Sequence, residues 1–149
     1  ARNKHTMNKS NILYWNFLSC IKLNKYNDAV NIMTKLINKD NKKISYYNDR
    51  CYCYGELKLF DKALDDANYA IKLDANNKIA LNNRGATLND LKQYNDALKD
   101  LTKCIQLSGE TYKNAYRHRA YSFWYLNNYN NAIIDIQKAL FIDKNYQSA

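Results

Sequence analysis

Four similar words at near-constant separation constrain this chain more than anything else in it. YNDAVN at Tyr26 to Asn31 returns as FDKALD at Phe60 to Asp65, YNDALK at Tyr94 to Lys99 and YNNAII at Tyr129 to Ile134. Within them Ala29, Ala63, Ala97 and Ala132 stand 34, 34 and 35 residues apart. Self-similarity with a period of about twenty to fifty residues is the mark of stacked supersecondary units. A chain of 149 residues built this way needs no single central core, because each unit packs on its neighbours.

Each unit carries two helical patterns separated by a short polar corner, at Asn24-Lys25, Lys58-Leu59, Lys92-Gln93 and Asn127-Asn128. The third unit shows it best. Leu81, Arg84, Gly85, Leu88 and Leu91 step by three and four, the stripe of an amphipathic helix, and Tyr94, Ala97, Leu98, Leu101, Cys104 and Ile105 repeat the step in a second helix. Leu23, Leu57, Leu91 and Leu126 are expected to end the first helices, and Tyr26, Phe60, Tyr94 and Tyr129 to begin the second. The alanine row must be small where paired helices approach. Leu36, Ala70, Cys104 and Ala139 form the next close row, followed by Ile37, Ile71, Ile105 and Leu140.

Hydrophobic residues make up 46% of the chain, which excludes a disordered polymer. No apolar run approaches the roughly 18 residues of a membrane span, and no signal-peptide pattern stands at the N-terminus. The expectation is a soluble, cytoplasmic domain. Cys51 and Cys53 are two apart on a helix and point to nearly opposite sides, so they cannot pair with each other there. With Cys20 and Cys104 they are expected to be buried free thiols. His5 and His118 are the chain's two histidines, and no spacing of a metal site is present, so no metal or cofactor is expected. A net charge of +9 raises the possibility of nucleic acid as a partner. The composition weakens it: lysine outnumbers arginine 18 to 5 and asparagine reaches 23, a drift that makes a chain basic without selecting for phosphate.

In the first helices the recurring residues are Tyr47, Arg50, Cys51 and Tyr54, then Leu81, Arg84, Gly85 and Leu88, then Tyr116, Arg119, Ala120 and Phe123. In this pattern the chain resembles a run of about four tetratricopeptide repeats, covering about Ser10 to Tyr146. The first unit, with Leu13, Asn16, Phe17 and Cys20, departs most, because Phe17 sits where the family has a small residue. The family's inter-repeat proline is replaced by Asn41, Ala75, Gly109 and Lys144, so looser turns are expected. The resemblance implies an all-α, right-handed superhelical solenoid of antiparallel helix pairs. The units are read as an extension at 1–9 and repeats at 10–43, 44–77, 78–112 and 113–146. After Asp143 little chain is left to cap the last repeat, so the reading is a fragment of a longer protein or a last repeat covered by another chain, with self-association through it as one outcome.

By the same resemblance, the first helices line a concave peptide groove. Its outward positions are Tyr14, Trp15 and Leu18 in the first repeat and Asn48, Asp49 and Tyr52 in the second. The third supplies Asn82, Asn83, Ala86 and Asn89, and the fourth Arg117, His118, Tyr121, Trp124 and Tyr125. Asn48, Asn82 and Asn83 are read as holders of a peptide main chain, since an amide both donates and accepts. Trp124 and Tyr125 are expected to be half-buried stacking residues. Arg50, Arg84 and Arg119 are expected to pack their stems between helices with wet heads, and His118 to lie on the helix surface. The family's two-carboxylate clamp for chaperone C-terminal tails places lysines, asparagines and an arginine at five positions. Tyr14, Leu18, Asp49, Ile79 and Asn83 stand there in repeats one to three, and Asn48, Tyr52, Asn83, Asn114 and His118 in repeats two to four. Asn83 alone matches; Lys113 and Arg117 are each one residue out of place.

The leading expectation is a protein-interaction scaffold or adaptor, co-chaperone-like, that binds a peptide or partner helix. The alternative is an electrostatic binder of RNA or an acidic surface, although Lys35, Lys72, Lys103 and Lys138 scatter over second helices. Without a phosphate-binding glycine loop, a metal constellation or a nucleophile with its base, an enzyme is not expected.

Overall fold

The computed structural model describes residues 8–109 and 111–146. The 1–7 part of the N-terminal extension, His5, Glu110 and 147–149 lie outside the described residues. Eight helices and no strand are found among the described residues: α1 (Lys9–Lys22), α2 (Tyr26–Lys39), α3 (Ile44–Glu56), α4 (Phe60–Leu73), α5 (Lys78–Asp90), α6 (Tyr94–Leu107), α7 (Lys113–Tyr125) and α8 (Tyr129–Tyr146). Each helix packs on the next in sequence, and α3 touches α5 as α5 touches α7. The result is an α-solenoid of antiparallel helix pairs.

The four corners share one geometry. Asn24, Lys58, Lys92 and Asn127 adopt positive φ between 55° and 61°. The next residue donates its N–H five residues back, as in Lys25 to the Cys20 carbonyl at 2.8 Å and Gln93 to the Leu88 carbonyl at 2.8 Å. This is the left-handed termination that satisfies a helix's last carbonyls, here made by asparagine and lysine where glycine is usual. Leu23, Leu57, Leu91 and Leu126 are the terminal cap residues of the first helices. The missing prolines are replaced in two turns by aspartate: Asp40 Oδ1 accepts from Lys42 N–H and Asp74 Oδ1 from Asn76 N–H.

All four alanines of the defining row are buried, Ala29, Ala63 and Ala97 fully. Opposite sides of a helix pair compensate in size. A Cβ added at Gly85 would lie 2.5 Å from Leu101 Cγ, so Gly85 makes room for Leu101. In the first pair, Phe17 and Met33 are both buried in one apolar cluster, and α1 packs on α2 and reaches α3 through the Tyr14 side chain.

The arginines require a correction. Arg50 binds Asp66 through two nitrogens at 2.8 and 2.7 Å, Arg84 binds Asp100 at 2.6 and 2.8 Å, and Arg119 binds Asp135 at 2.8 and 2.8 Å. A third nitrogen of each reaches the preceding repeat's second helix, at Thr34, Asn68 and Thr102. Their heads are therefore not wet. Each guanidinium ties three helices together, and bonding to Asp66 and Asp100 holds Arg50 and Arg84 more basic than usual. Removing one partner of such a buried pair costs about 3–5 kcal/mol.

Candidate functional site

The concave face is built from the first helices, and its floor is a ladder of amides. Asn83 Nδ2 donates to the Asn48 carbonyl at 3.2 Å, and Asn48 Nδ2 donates to Asn77 Oδ1 at 3.2 Å, which links α3 to α5. Between α5 and α7, Asn89 Nδ2 donates to the His118 carbonyl at 2.8 Å and Asn89 Oδ1 accepts from Ser122 Oγ at 2.6 Å. His118 Nδ1 lies 3.1 Å from Asn82 Oδ1, the distance at which a protonated Nδ1 donates to that oxygen. Asn48, Asn82 and Asn89 are buried in consequence. Asn89 satisfies an acceptor and a donor on α7 at once, which an amide can do, whereas Asn48 Oδ1 is buried and receives no bond among the described residues.

Two floor residues titrate abnormally, for physical reasons. Burial lowers His118 to about 4, helped by the positive charge of Arg117, so its imidazole is neutral at physiological pH. Burial raises Asp49 to about 6, against the opposing hydrogen bond from Tyr14. Asp49 Oδ2 is a buried acceptor that receives no bond among the described residues.

Above the floor the aromatic side chains stand open, with Tyr52 hydrogen-bonded to Tyr26 of α2. Tyr52, Tyr121, Trp124 and Tyr125 are exposed, at 46%, 45%, 59% and 50%. Their rings rest on aromatic neighbours: Tyr52 meets Tyr26 edge-on at 6.2 Å, Tyr125 stacks on Tyr94 at 5.0 Å, and Trp124 meets Tyr129 at 4.9 Å. An open cleft of about 420 Å³ lies between α3, α5 and α7, lined among others by Tyr52, Glu56, Ala86, Asp90, Arg117 and His118. A smaller notch of about 260 Å³ follows it, bounded by Arg117, Tyr121, Trp124 and Ile136. Such a surface offers apolar ring faces, two carboxylates and one guanidinium to an extended ligand.

Comparison with known proteins agrees with this architecture. A family model for the tetratricopeptide repeat matches residues 79–111 and 114–146. The chain carries tetratricopeptide repeats, matched directly over its second half. Sperm-associated antigen 1 from Homo sapiens is 32% identical over 88 residues, 59% of this chain but 10% of that protein, so this chain spans about a tenth of its relative. Among solved structures, MamA superposes with a TM-score of 0.77 at 17% identity, covering 95% of this chain and 82% of that one. The first tetratricopeptide domain of Spaghetti (RPAP3), bound to the HSP90 peptide SRMEEVD, superposes with a TM-score of 0.74 at 25% identity, covering 80% of this chain and 94% of that one.

Several expectations change within the tetratricopeptide frame. Asn48 is buried with its Nδ2 donated to Asn77, whereas Asn82 and Asn83 line the cleft, each with one amide atom committed to a neighbouring helix. His118 is not a fully exposed surface residue but a half-buried, neutral one. Trp124 and Tyr125 do stack, yet they are exposed rather than half-buried. Tyr14 is half-buried beside Phe17, with ring centroids 5.5 Å apart, and Asn89 belongs to the floor. Cys51, Cys53 and Cys104 are buried, their thiols pushed up to about 12, 12 and 11, whereas Cys20 is partly exposed. Sequence reasoning missed Glu56 and Asp90 in the cleft and the arginine partners Asp66, Asp100 and Asp135. A signal for the partners was present, since each pair is separated by 16 residues and the first repeat carries Asn16 and Ile32 at the two positions.

Proposed function

We propose that this tetratricopeptide domain is a protein-interaction adaptor that takes an extended peptide or a partner helix along the concave face, between Tyr52 and Trp124. One observation carries the reading. On the concave face Asn82, Asn83 and Asn89 are tied to neighbouring helices, while Tyr52, Glu56, Asp90 and Arg117 line an open cleft of about 420 Å³. Tyrosine and tryptophan give a large contact area at a small entropic cost, which suits them to anchoring a peptide. A co-chaperone-like, cytoplasmic role remains part of this proposal. It gains support from the Spaghetti domain's HSP90 peptide, while the clamp positions weigh against the same mode of binding. In repeats two to four the lysine and arginine positions hold Asn48, Asn114 and His118, so the cations that would meet two carboxylates are absent there. The electrostatic alternative draws no support from the cleft, where Glu56 and Asp90 face a single Arg117.

The test is selection from a displayed random-peptide library, with SRMEEVD measured beside it by fluorescence anisotropy. Selected peptides should lose at least about tenfold in affinity for Tyr52→Ala and Tyr121→Ala, while circular dichroism stays unchanged. Selection of nothing, or equal affinity for both variants, would refute the groove.

A further inference from the structure

The last helix carries an apolar face that the interior of the solenoid does not explain. Ile133, Ile134, Leu140 and Phe141 on α8 are exposed, at 55%, 53%, 56% and 65%. At about 100° per residue, these four and Gln137 fall within about 60° of one line along the helix. Ala132, Asp135 and Ala139, buried at 5%, 2% and 4%, occupy the opposite side. Monomers rarely expose so continuous an apolar patch without a use for it.

The repeats themselves say what could cover such a face. One repeat earlier, Leu101 and Ile105 occupy the positions of Ile136 and Leu140, and they are 0% and 5% exposed beneath the next first helix. A further helix seated in the same way would therefore cover Ile136 and Leu140. It would leave Ile134 and Phe141 wet. Their counterparts are Asn31, Asp65 and Lys99, and Asn38, Lys72 and Gln106, all polar and all exposed in the earlier repeats. Only α8 makes these two rows apolar, so its occupant lies further round the helix than a repeat's neighbour does.

The pattern is also self-complementary. Ile133 and Phe141 lie four residues either side of Gln137, and Ile134 and Leu140 lie three. Two copies of α8 packed antiparallel about a two-fold axis at Gln137 would set Ile133 against the partner's Phe141 and Ile134 against the partner's Leu140. That reciprocity is what an isologous two-fold interface requires. Gln137 then meets its own copy, and an amide can both donate and accept across the axis. A single polar pair within an apolar seam also specifies register. Asn130 and Lys144, seven residues either side of Gln137, form polar ends. We infer that α8 is a homodimerisation surface, with a second copy of this chain as the occupant of its outer face. The assembly leaves the concave cleft open, so it is independent of what that cleft binds.

Sedimentation equilibrium across a wide concentration range, with three variants, tests this. The wild type should show a reversible monomer–dimer equilibrium. Phe141→Asp, at an exposed position where folding is safe, should raise the dimer dissociation constant by at least about thirtyfold. Gln137→Cys should give a disulfide-linked dimer under mild oxidation, and Lys138→Cys, about 100° round the helix, should not. A monomer at every concentration would overturn the inference. So would a dimer indifferent to Phe141→Asp, or one in which the two cysteine variants cross-link alike.

Discussion

The floor and the rim of the concave face are made of different residues for different ends. On the floor, Asn48, Asn82 and Asn89 are buried and bond across successive first helices. On the rim, Tyr52, Tyr121, Trp124 and Tyr125 are exposed and touch only other rings of their own face and its corners. The contrast teaches that position on a binding face does not make a residue a binding residue. A polar side chain on the concave side of closely packed helices finds a neighbouring backbone before it finds a ligand, because leaving it unpaired when buried costs about 1–3 kcal/mol. What remains for a partner is the part that needs no bond, the aromatic faces.

Four substitutions would break or sharpen that contrast. The largest effect belongs to the floor. Asn89→Ala removes one of two acceptors of a fully buried Ser122 hydroxyl and one of two side-chain donors to the His118 carbonyl. It should lower unfolding stability by about 2–3 kcal/mol in urea titration. A smaller effect comes from the two titrating floor groups, which act in opposite senses. Asp49 binds a proton more tightly in the folded state, at about 6 against an ordinary 3.8, so stability from this group grows as pH falls through about 6. His118 binds a proton less tightly, at about 4 against 6.5, so the unfolded chain takes the proton first and stability falls as pH drops below 6.5. Melting temperatures of His118→Gln should therefore rise on acidification from neutral pH, and those of Asp49→Asn should fall. Each effect should be of the order of 1 kcal/mol once solvent screening of these part-exposed groups is allowed for. The smallest effect on stability belongs to the rim: Tyr121→Ala should leave the urea midpoint within about 0.5 kcal/mol of wild type while it weakens peptide binding.

Much of the fold was legible because it rests on apolar spacing and corner positions. The period of 34 to 35 residues, the leucines that cap the first helices and the aromatics that open the second all stand where the pattern put them. The site was less legible, for a physical reason. Asn82 and Asn83 are adjacent in sequence and similar in chemistry, but 100° of helix turn sends Asn82 to His118 on α7 and Asn83 to the Asn48 carbonyl on α3. Which amide remains for a ligand depends on the neighbouring helix, and one repeat's own sequence does not contain that. His118 shows the same limit. It is half-buried and meets Asn82 of the preceding repeat's first helix, a contact that a helical wheel does not show.

The central claim is that a partner engages the rim of the concave face and leaves the floor and the convex side alone. Amide chemical-shift mapping with a library-selected peptide tests it most directly. The account predicts that the largest shifts cluster at Tyr52, Ala86, Arg117 and Tyr121, the residues of the cleft and its notch. Shifts concentrated instead on the second helices, around Lys35, Lys72 and Lys103, would contradict it and place the binding surface on the opposite side of the solenoid.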